Sequence, residues 1–119
     1  MNGVERRQEI ETTGLITDLL WSDPQDDNGW GESPRGAGRI FGPDKTQEFL
    51  TANGLEYIVR SHQLPTEGGY TIAHNGKCVT VWNAANYCNS CGNSASVGYI
   101  GEDLKIQYLV FEQKTEETQ

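Results

Sequence analysis

The stretch 69–83, GYTIAHNGKCVTVWN, decides how the second half of the chain is interpreted. Two runs rich in β-branched and aromatic residues, GYTIAH and KCVTVWN, meet at His74-Asn75-Gly76. Asn-Gly between two such runs is a strong hairpin signal, because both residues readily adopt the positive φ that a tight turn requires. The pattern therefore predicts two antiparallel strands joined at residues 74–76.

Similar apolar runs lie on both sides of this hairpin. EYIVRS precedes it, and ASVGYIG and LKIQYLVFE follow it, the last two joined at Glu102-Asp103. Short strands separated by turn residues favour antiparallel pairing between sequence neighbours. We predict an antiparallel meander over residues 56–111.

One clear helix is predicted over residues 43–53. Pro43 suits the first helical position, Asp44 favours the positive end of the helix dipole, and Asn53-Gly54 provides a carboxyl cap. The order of helices followed by strands indicates the α+β class.

The region before this helix gives weaker signals. Residues 5–20 carry apolar positions interrupted by Gly14, which predicts two short helical pieces. Residues 22–40 are dense in Gly, Pro, Asp, Asn and Ser, which predicts a long loop with little regular structure, and long loops in compact domains are often functional.

Length and charge restrict the classes of function. The chain has 119 residues and a net charge of −8. We expect one domain over 1–112 with a polar tail at 113–119. The negative charge argues against nucleic acid and anionic membranes as partners.

No apolar block resembles a signal peptide or a membrane helix. The three cysteines suggest free thiols in the cytoplasm or nucleus.

Two residues could bind ligands through their side chains. His62 ends an apolar run, where it could bind a metal, relay a proton or form a structural hydrogen bond. Arg35 lies between a proline and two glycines, where it could contact phosphate oxygens or pair with a nearby carboxylate. By contrast, His74 lies beside a turn and is predicted to be exposed and inert.

Cys88 and Cys91 form a single C-x-x-C motif that could bind zinc or exchange disulfides. Zinc needs four ligands, and the sequence has no second motif to complete the set. We therefore regard zinc binding and redox chemistry as minor alternatives. The three tryptophans are predicted to be packing residues.

Five ordered motifs extend this interpretation beyond composition. They are LLWSDP at 19–24, GWGESPRGAG at 29–38, FGPD at 41–44, RSHQ at 60–63 and ANYCNSCGN at 85–93. Together they resemble the metal-dependent phosphoprotein phosphatases that act on phosphoserine and phosphothreonine. Some motifs are similar to the 2A-type branch and others to the type-five phosphatases, and the resemblance covers about residues 15–112.

The resemblance implies a fold, a cofactor and roles for three residues. It implies part of a four-layer α/β/β/α sandwich with two divalent metal ions, either manganese or iron with zinc. His62 would be a metal ligand, Arg35 would clamp the substrate phosphate, and Tyr87 would form a lid facing substrate or inhibitor. Cys88 lies in the same loop and is not expected to be a nucleophile.

The family's other metal-binding motifs are absent from this sequence. It contains no Gly-Asp dipeptide and no Asn-His-Glu, so His62 would be the only metal ligand present. The chain therefore resembles the carboxyl-terminal portion of a phosphatase catalytic domain. It also departs from the family within the match, because Ala85 replaces a proline and Gly69 looks like a one-residue insertion.

Two functional hypotheses follow. The chain is either the carboxyl-terminal portion of a serine/threonine phosphatase, inactive without the metal-binding half, or a non-catalytic protein that retains half the fold and binds phosphatase partners or phosphopeptides through Arg35. The first implies phosphoprotein substrates and regulatory subunits as partners. Either way, we expect the isolated chain to be marginally stable or to self-associate, because a partial sandwich exposes apolar surface.

Overall fold

A computed structural model describes residues 3–5, 8–10, 13–65, 68–89 and 91–112. The chain divides into two compact units, Met1–Lys45 and Thr46–Gln119. The predicted tail at 113–119 lies outside the described residues. Across the described ranges, no helix is long and apolar enough to cross a membrane.

The first unit contains one short helix and a small mixed sheet. Helix α1 (Leu15–Trp21) is followed by strands β1 (Asp23–Pro24), β2 (Trp30–Glu32) and β3 (Arg39–Phe41). The strand order is β1-β3-β2, with β1 parallel and β2 antiparallel to β3. The prediction of a long loop with little regular structure over residues 22–40 did not include these three short strands, since strands this short leave no periodic pattern.

Only the second of the two predicted N-terminal helical pieces is present among the described residues. Gly14 adopts a φ of 118° immediately before α1, a conformation that ends any helix arriving from upstream. The described residues between 5 and 13 are not helical. The rest of the first predicted piece, residues 6, 7, 11 and 12, lies outside the described ranges.

Helix α2 (Pro43–Asn53) has the bounds that the sequence predicted. It ends where Gly54 takes a φ of 64° and the Leu55 N–H bonds the Leu50 carbonyl. Thr46 and Leu50, one turn apart, are its buried residues.

The second unit contains a three-stranded sheet made of β4 (Ile58–Arg60), β5 (Tyr70–Ala73) and β6 (Cys78–Val81). Strand β6 is central and is antiparallel to β5, so the hairpin at 74–76 is confirmed. Strand β4, however, pairs in parallel with the other edge of β6. The antiparallel meander was therefore wrong for its first strand, because sequence neighbours β4 and β5 lie on opposite sides of β6.

A second antiparallel hairpin consists of β7 (Ala95–Ile100) and β8 (Ile106–Phe111). The Tyr70 and Tyr108 rings stack at 3.8 Å between centroids, which packs one face of this hairpin against β5. Gly69 lies at the junction, where its carbonyl accepts hydrogen bonds from the Trp82 N–H and the Ser96 hydroxyl. With helices and sheets both present, the α+β class is confirmed.

Candidate functional site

Arg35 is held by a carboxylate on β1. Its Nε donates a hydrogen bond to Asp23 Oδ2 at 2.7 Å, and the Asp23 side chain is only 10% exposed. The Arg35 backbone is fixed as well, since its N–H bonds Ser33 Oγ at 3.2 Å. The guanidinium plane is therefore oriented by a largely buried ion pair and by a short turn.

This arrangement is compatible with phosphate binding. The bond to Asp23 engages Nε of Arg35, and the side chain is 25% exposed. A guanidinium held through Nε can present its terminal nitrogens in a fixed plane, which suits the oxygens of a phosphoryl group. Sequence analysis left carboxylate pairing and phosphate binding as alternatives, and the observed ion pair permits both.

His62 lies two residues after the end of β4 and has a φ of 80°. A positive φ is uncommon for a residue with a side chain and is maintained by surrounding contacts. The two preceding residues are held by side-chain hydrogen bonds. Ser61 Oγ donates to the Val81 carbonyl, and Arg60 Nη1 donates to both Thr80 Oγ1 and Gln63 Oε1, each at 2.8 Å. His62 itself is exposed.

Tyr87 belongs to a loop that is closed by two asparagine side chains. Asn93 Oδ1 accepts a bond from the Tyr87 N–H at 2.7 Å, and Asn86 Oδ1 accepts one from the Gly92 N–H at 2.8 Å. The Tyr87 ring contacts the edge of Trp82, with centroids 4.9 Å apart and an interplanar angle of 84°. Tyr87 is 43% exposed, so its position would allow it to contact a ligand.

The parallel pairing of β4 and β6 brings His62 and the Tyr87 loop to the same edge of one sheet. Parallel strands end at the same edge, and Arg60 and Thr80 are paired near these ends. The segment with His62 leaves β4 there, and the segment with Tyr87 leaves β6 there. Arg35 belongs to the first unit.

The described residues do not fit a complete dinuclear metal centre. Within the ranges that the structure describes, no group of three His, Cys, Asp or Glu side chains could hold a metal ion. His62 is consequently at most one ligand of such a centre. The minor alternative of a zinc site at Cys88 and Cys91 gains no support, since both are exposed free thiols.

Two predictions about side-chain environments were wrong. His74 is 8% exposed rather than solvent-exposed, and its Nδ1 lies 2.7 Å from Thr46 Oγ1. Trp21 and Trp30 are 37% and 60% exposed rather than packed. The Trp30 ring instead lies under the Lys45 ammonium at 5.6 Å, a cation–π contact.

Sequence analysis also missed three residues that position the candidate site. Asp23 was not singled out, although it precedes a proline, which restricts its backbone to extended conformations and limits where the carboxylate can lie. Asn86 and Asn93 were not singled out either. Their signal is their position on both sides of Tyr87 in a turn-rich loop, where asparagine side chains often bond the backbone.

Comparisons with known proteins identify relatives of the chain. The profile of the calcineurin-like phosphoesterase family matches residues 1–65. The chain is 49% identical to the serine/threonine-protein phosphatase 4 catalytic subunit of Saccharomyces cerevisiae over 92% of its own length, but spans 35% of that protein. The structure also matches a Saccharomyces cerevisiae protein serine/threonine phosphatase with similarity to human phosphatase PP5. That match has a TM-score of 0.85 and 36% identity, and covers 96% of this chain and 39% of the other.

The profile match covers more than half of the chain, and the fold is found with a high TM-score as part of a larger phosphatase. The chain therefore belongs to the calcineurin-like phosphoesterase family.

Proposed function

We propose that the chain supplies part of the active site of a serine/threonine protein phosphatase and acts together with the remainder of the catalytic domain. The observation that carries this proposal is the 49% identity to a phosphatase catalytic subunit over 92% of the chain. The substrates would be phosphoserine and phosphothreonine in proteins. Because the chain spans about a third of that relative, we expect it to be inactive alone.

Arg35 would bind the phosphoryl group. Its 2.7 Å bond to Asp23 supports this role, because a guanidinium that is already oriented loses little entropy when it binds a phosphate. Removal of one positioned donor of this type typically lowers catalytic rates by about 10²–10³-fold. Asp23 would act as a positioning residue for Arg35.

His62 would contribute one ligand to a centre of two divalent ions, either manganese or iron with zinc. An exposed imidazole at a sheet edge is a suitable donor for such ions. The other ligands would have to come from the remainder of the catalytic domain, because the described part of this chain does not group them. Tyr87, on the adjacent loop, would cover the bound substrate.

A second candidate is a non-catalytic protein that binds phosphopeptides through Arg35. It is favoured by the lack of clustered metal ligands across the described ranges. For either function we propose protein partners rather than nucleic acid, since a net charge of −8 repels polyanions. The free cysteines support a reducing location in the cytoplasm or nucleus.

The test is hydrolysis of an aryl phosphate in the presence of manganese. It compares the chain alone with the chain mixed with a second, separately produced polypeptide. That polypeptide is the part of the yeast phosphatase 4 subunit outside its match with this chain. We expect turnover only in the mixture, and a loss of about 100-fold or more in Arg35→Ala and His62→Asn. Arg39→Ala is the matched control, because Arg39 is an exposed arginine of the same unit.

The two candidates give different results in this experiment. Binding of a phosphopeptide without metal, abolished by Arg35→Ala and accompanied by no turnover in the mixture, would establish the binding protein instead. Turnover that is equal in all variants would contradict both assignments.

A further inference from the structure

Tyr87 lies in a strained part of its loop. Its two neighbours, Asn86 and Cys88, have φ angles of 46° and 56°. A positive φ is uncommon in residues other than glycine and persists only where surrounding contacts enforce it. The contacts around Tyr87 must therefore hold its backbone in this conformation.

The carbonyl of Ala84 connects these contacts. It accepts hydrogen bonds from Trp82 Nε1 and from Asn93 Nδ2, each at 2.9 Å, and these two bonds use both of its lone pairs. The same Asn93 side chain accepts the bond from the Tyr87 N–H through Oδ1. The backbone of Tyr87 is thereby connected to the Trp82 indole through Asn93 and Ala84.

Trp82 is itself fixed where the three-stranded sheet meets the β7–β8 hairpin. Its N–H donates to the Gly69 carbonyl at 3.1 Å, and its carbonyl accepts a bond from the Ser96 N–H at 2.7 Å. Its side chain is half-buried. The indole is therefore attached to the strands of the second unit, whereas Tyr87 belongs to the loop that leaves them.

The Trp82 indole also restricts the orientation of the Tyr87 ring. The two rings meet edge to face with centroids 4.9 Å apart, a favourable aromatic geometry. Within the described residues, no other ring contacts Tyr87 and no group bonds its hydroxyl. One side of the phenol ring is thus supported by Trp82, while the hydroxyl is available to a ligand.

We propose that Trp82 is a positioning residue for Tyr87, whose ring it holds in the orientation that contacts the substrate. This inference rests on the function proposed above, in which Tyr87 covers the bound substrate. A side chain that is already oriented loses less conformational entropy when a ligand binds. Trp82 therefore acts on substrate binding, and its loss raises KM more than it lowers kcat.

The alanine at position 85 increases the need for this support. The proline that the family has there would restrict the backbone just before Tyr87, whereas alanine allows more conformations. The Ala85 N–H donates to no described residue, so a proline would remove none of the described hydrogen bonds. Ala85→Pro should consequently compensate in part for the loss of the Trp82 indole.

The first test is hydrogen exchange in the full chain alone, measured by mass spectrometry of a peptide spanning residues 84–93. Trp82→Leu should raise exchange in this peptide about 10-fold or more, because the loop then opens more often. It should leave peptides from β5 and β6 unchanged. Trp82→Phe keeps a ring but lacks the N–H and should give an intermediate rate. Trp30→Phe is the matched control, since Trp30 is an exposed indole of the first unit.

The second test is hydrolysis of a phosphoserine peptide, with manganese, by the mixture with the yeast polypeptide described above. Trp82→Leu should raise KM about 10-fold while kcat changes less than about 2-fold. Trp30→Phe should change neither constant. Ala85→Pro added to Trp82→Leu should return both the exchange rate and KM toward their wild-type values.

Wild-type exchange of the 84–93 peptide in Trp82→Leu would overturn the inference, as would a lower kcat with an unchanged KM. If Trp82→Leu also exposes the β5 and β6 peptides, Trp82→Phe decides, and wild-type exchange in that variant overturns the inference. Faster exchange confined to the loop, with no hydrolysis by the wild-type mixture, supports the positioning of Tyr87 by Trp82 and contradicts the proposed function.

Discussion

The β4–β6–β5 sheet and the β7–β8 hairpin contain similar apolar residues but bury them very differently. Val79 on β6 is 2% exposed, whereas Leu109 on β8 is 68% exposed. Both residues lie in strands that were predicted from apolar runs. The difference teaches that an apolar run specifies a strand, while burial depends on whether a second layer covers it.

The largest expected effect comes from a charge placed in each region. Val79→Asp would put an unpaired carboxylate in the core and should destabilise the chain by more than about 3 kcal/mol, enough to unfold a marginal domain. Leu109→Asp should change stability by less than about 0.5 kcal/mol. Urea unfolding followed by circular dichroism measures both. Similar losses would show that the hairpin face is buried in solution.

The next effect concerns the polar contact that links α2 to the hairpin turn beside the sheet. Thr46 is 1% exposed, and Thr46→Val removes the hydroxyl that lies 2.7 Å from His74 Nδ1. We expect a loss of about 1–2 kcal/mol in the free energy of unfolding. Thr46→Ser should restore most of it, and Thr71→Val on the exposed side of β5 is the control. An unchanged free energy of unfolding in Thr46→Val would mean that water hydrates His74.

Cysteine reactivity distinguishes buried from exposed positions without any change in stability. Burial raises the pKa of the Cys78 thiol, an effect that the charge of Arg60 partly opposes. Cys88 and Cys91 are exposed. At neutral pH, iodoacetamide should therefore modify Cys88 and Cys91 in the folded chain and Cys78 only in denaturant. Mass spectrometry of the alkylated peptides reads the result, and early modification of Cys78 would indicate that the sheet opens.

The smallest expected effect concerns Asp44, which lies outside both the sheet and the hairpin. The Gly29 N–H, 2.7 Å from Asp44 Oδ1, lowers the pKa of Asp44 below its ordinary value of 3.8. This bond should stabilise the chain fully above pH 3.8 and be lost as the pH falls through the lower folded pKa. Asp44→Asn should therefore flatten the pH dependence of stability only below about pH 4. Trp fluorescence during acid titration measures it, and a difference confined to neutral pH would contradict this origin.

Much of the fold could be predicted because its signals are local. The bounds of α2 follow from Pro43 and Asn53-Gly54, and the two hairpins follow from their turn residues. The parallel β4–β6 pair could not be predicted, because its partners are separated by the whole of β5. A local sequence pattern predicts a strand, but it does not predict which distant strand pairs with it or along which edge.

The candidate site was predictable only in part for the same reason. The motifs named Arg35, His62 and Tyr87, whose roles remain predictions. The choice of Asp23 as the partner of Arg35 depends on a contact across 12 positions in a segment with many carboxylates. Likewise, His74 looked exposed beside its turn because its partner, Thr46, lies 28 positions away.

The backbone conformation and close packing of Gly69 restrict the substitutions that the chain can tolerate at this position. Its φ is 76°, and a Cβ at this position would collide with the Ala95 backbone, so every missense change of codon 69 should separate the hairpin from the sheet. At Gly68, with a φ of 75° but open space around it, a substitution adds only backbone strain. The residue that looks like an insertion relative to the family should therefore be among the positions under the strongest purifying selection in this lineage.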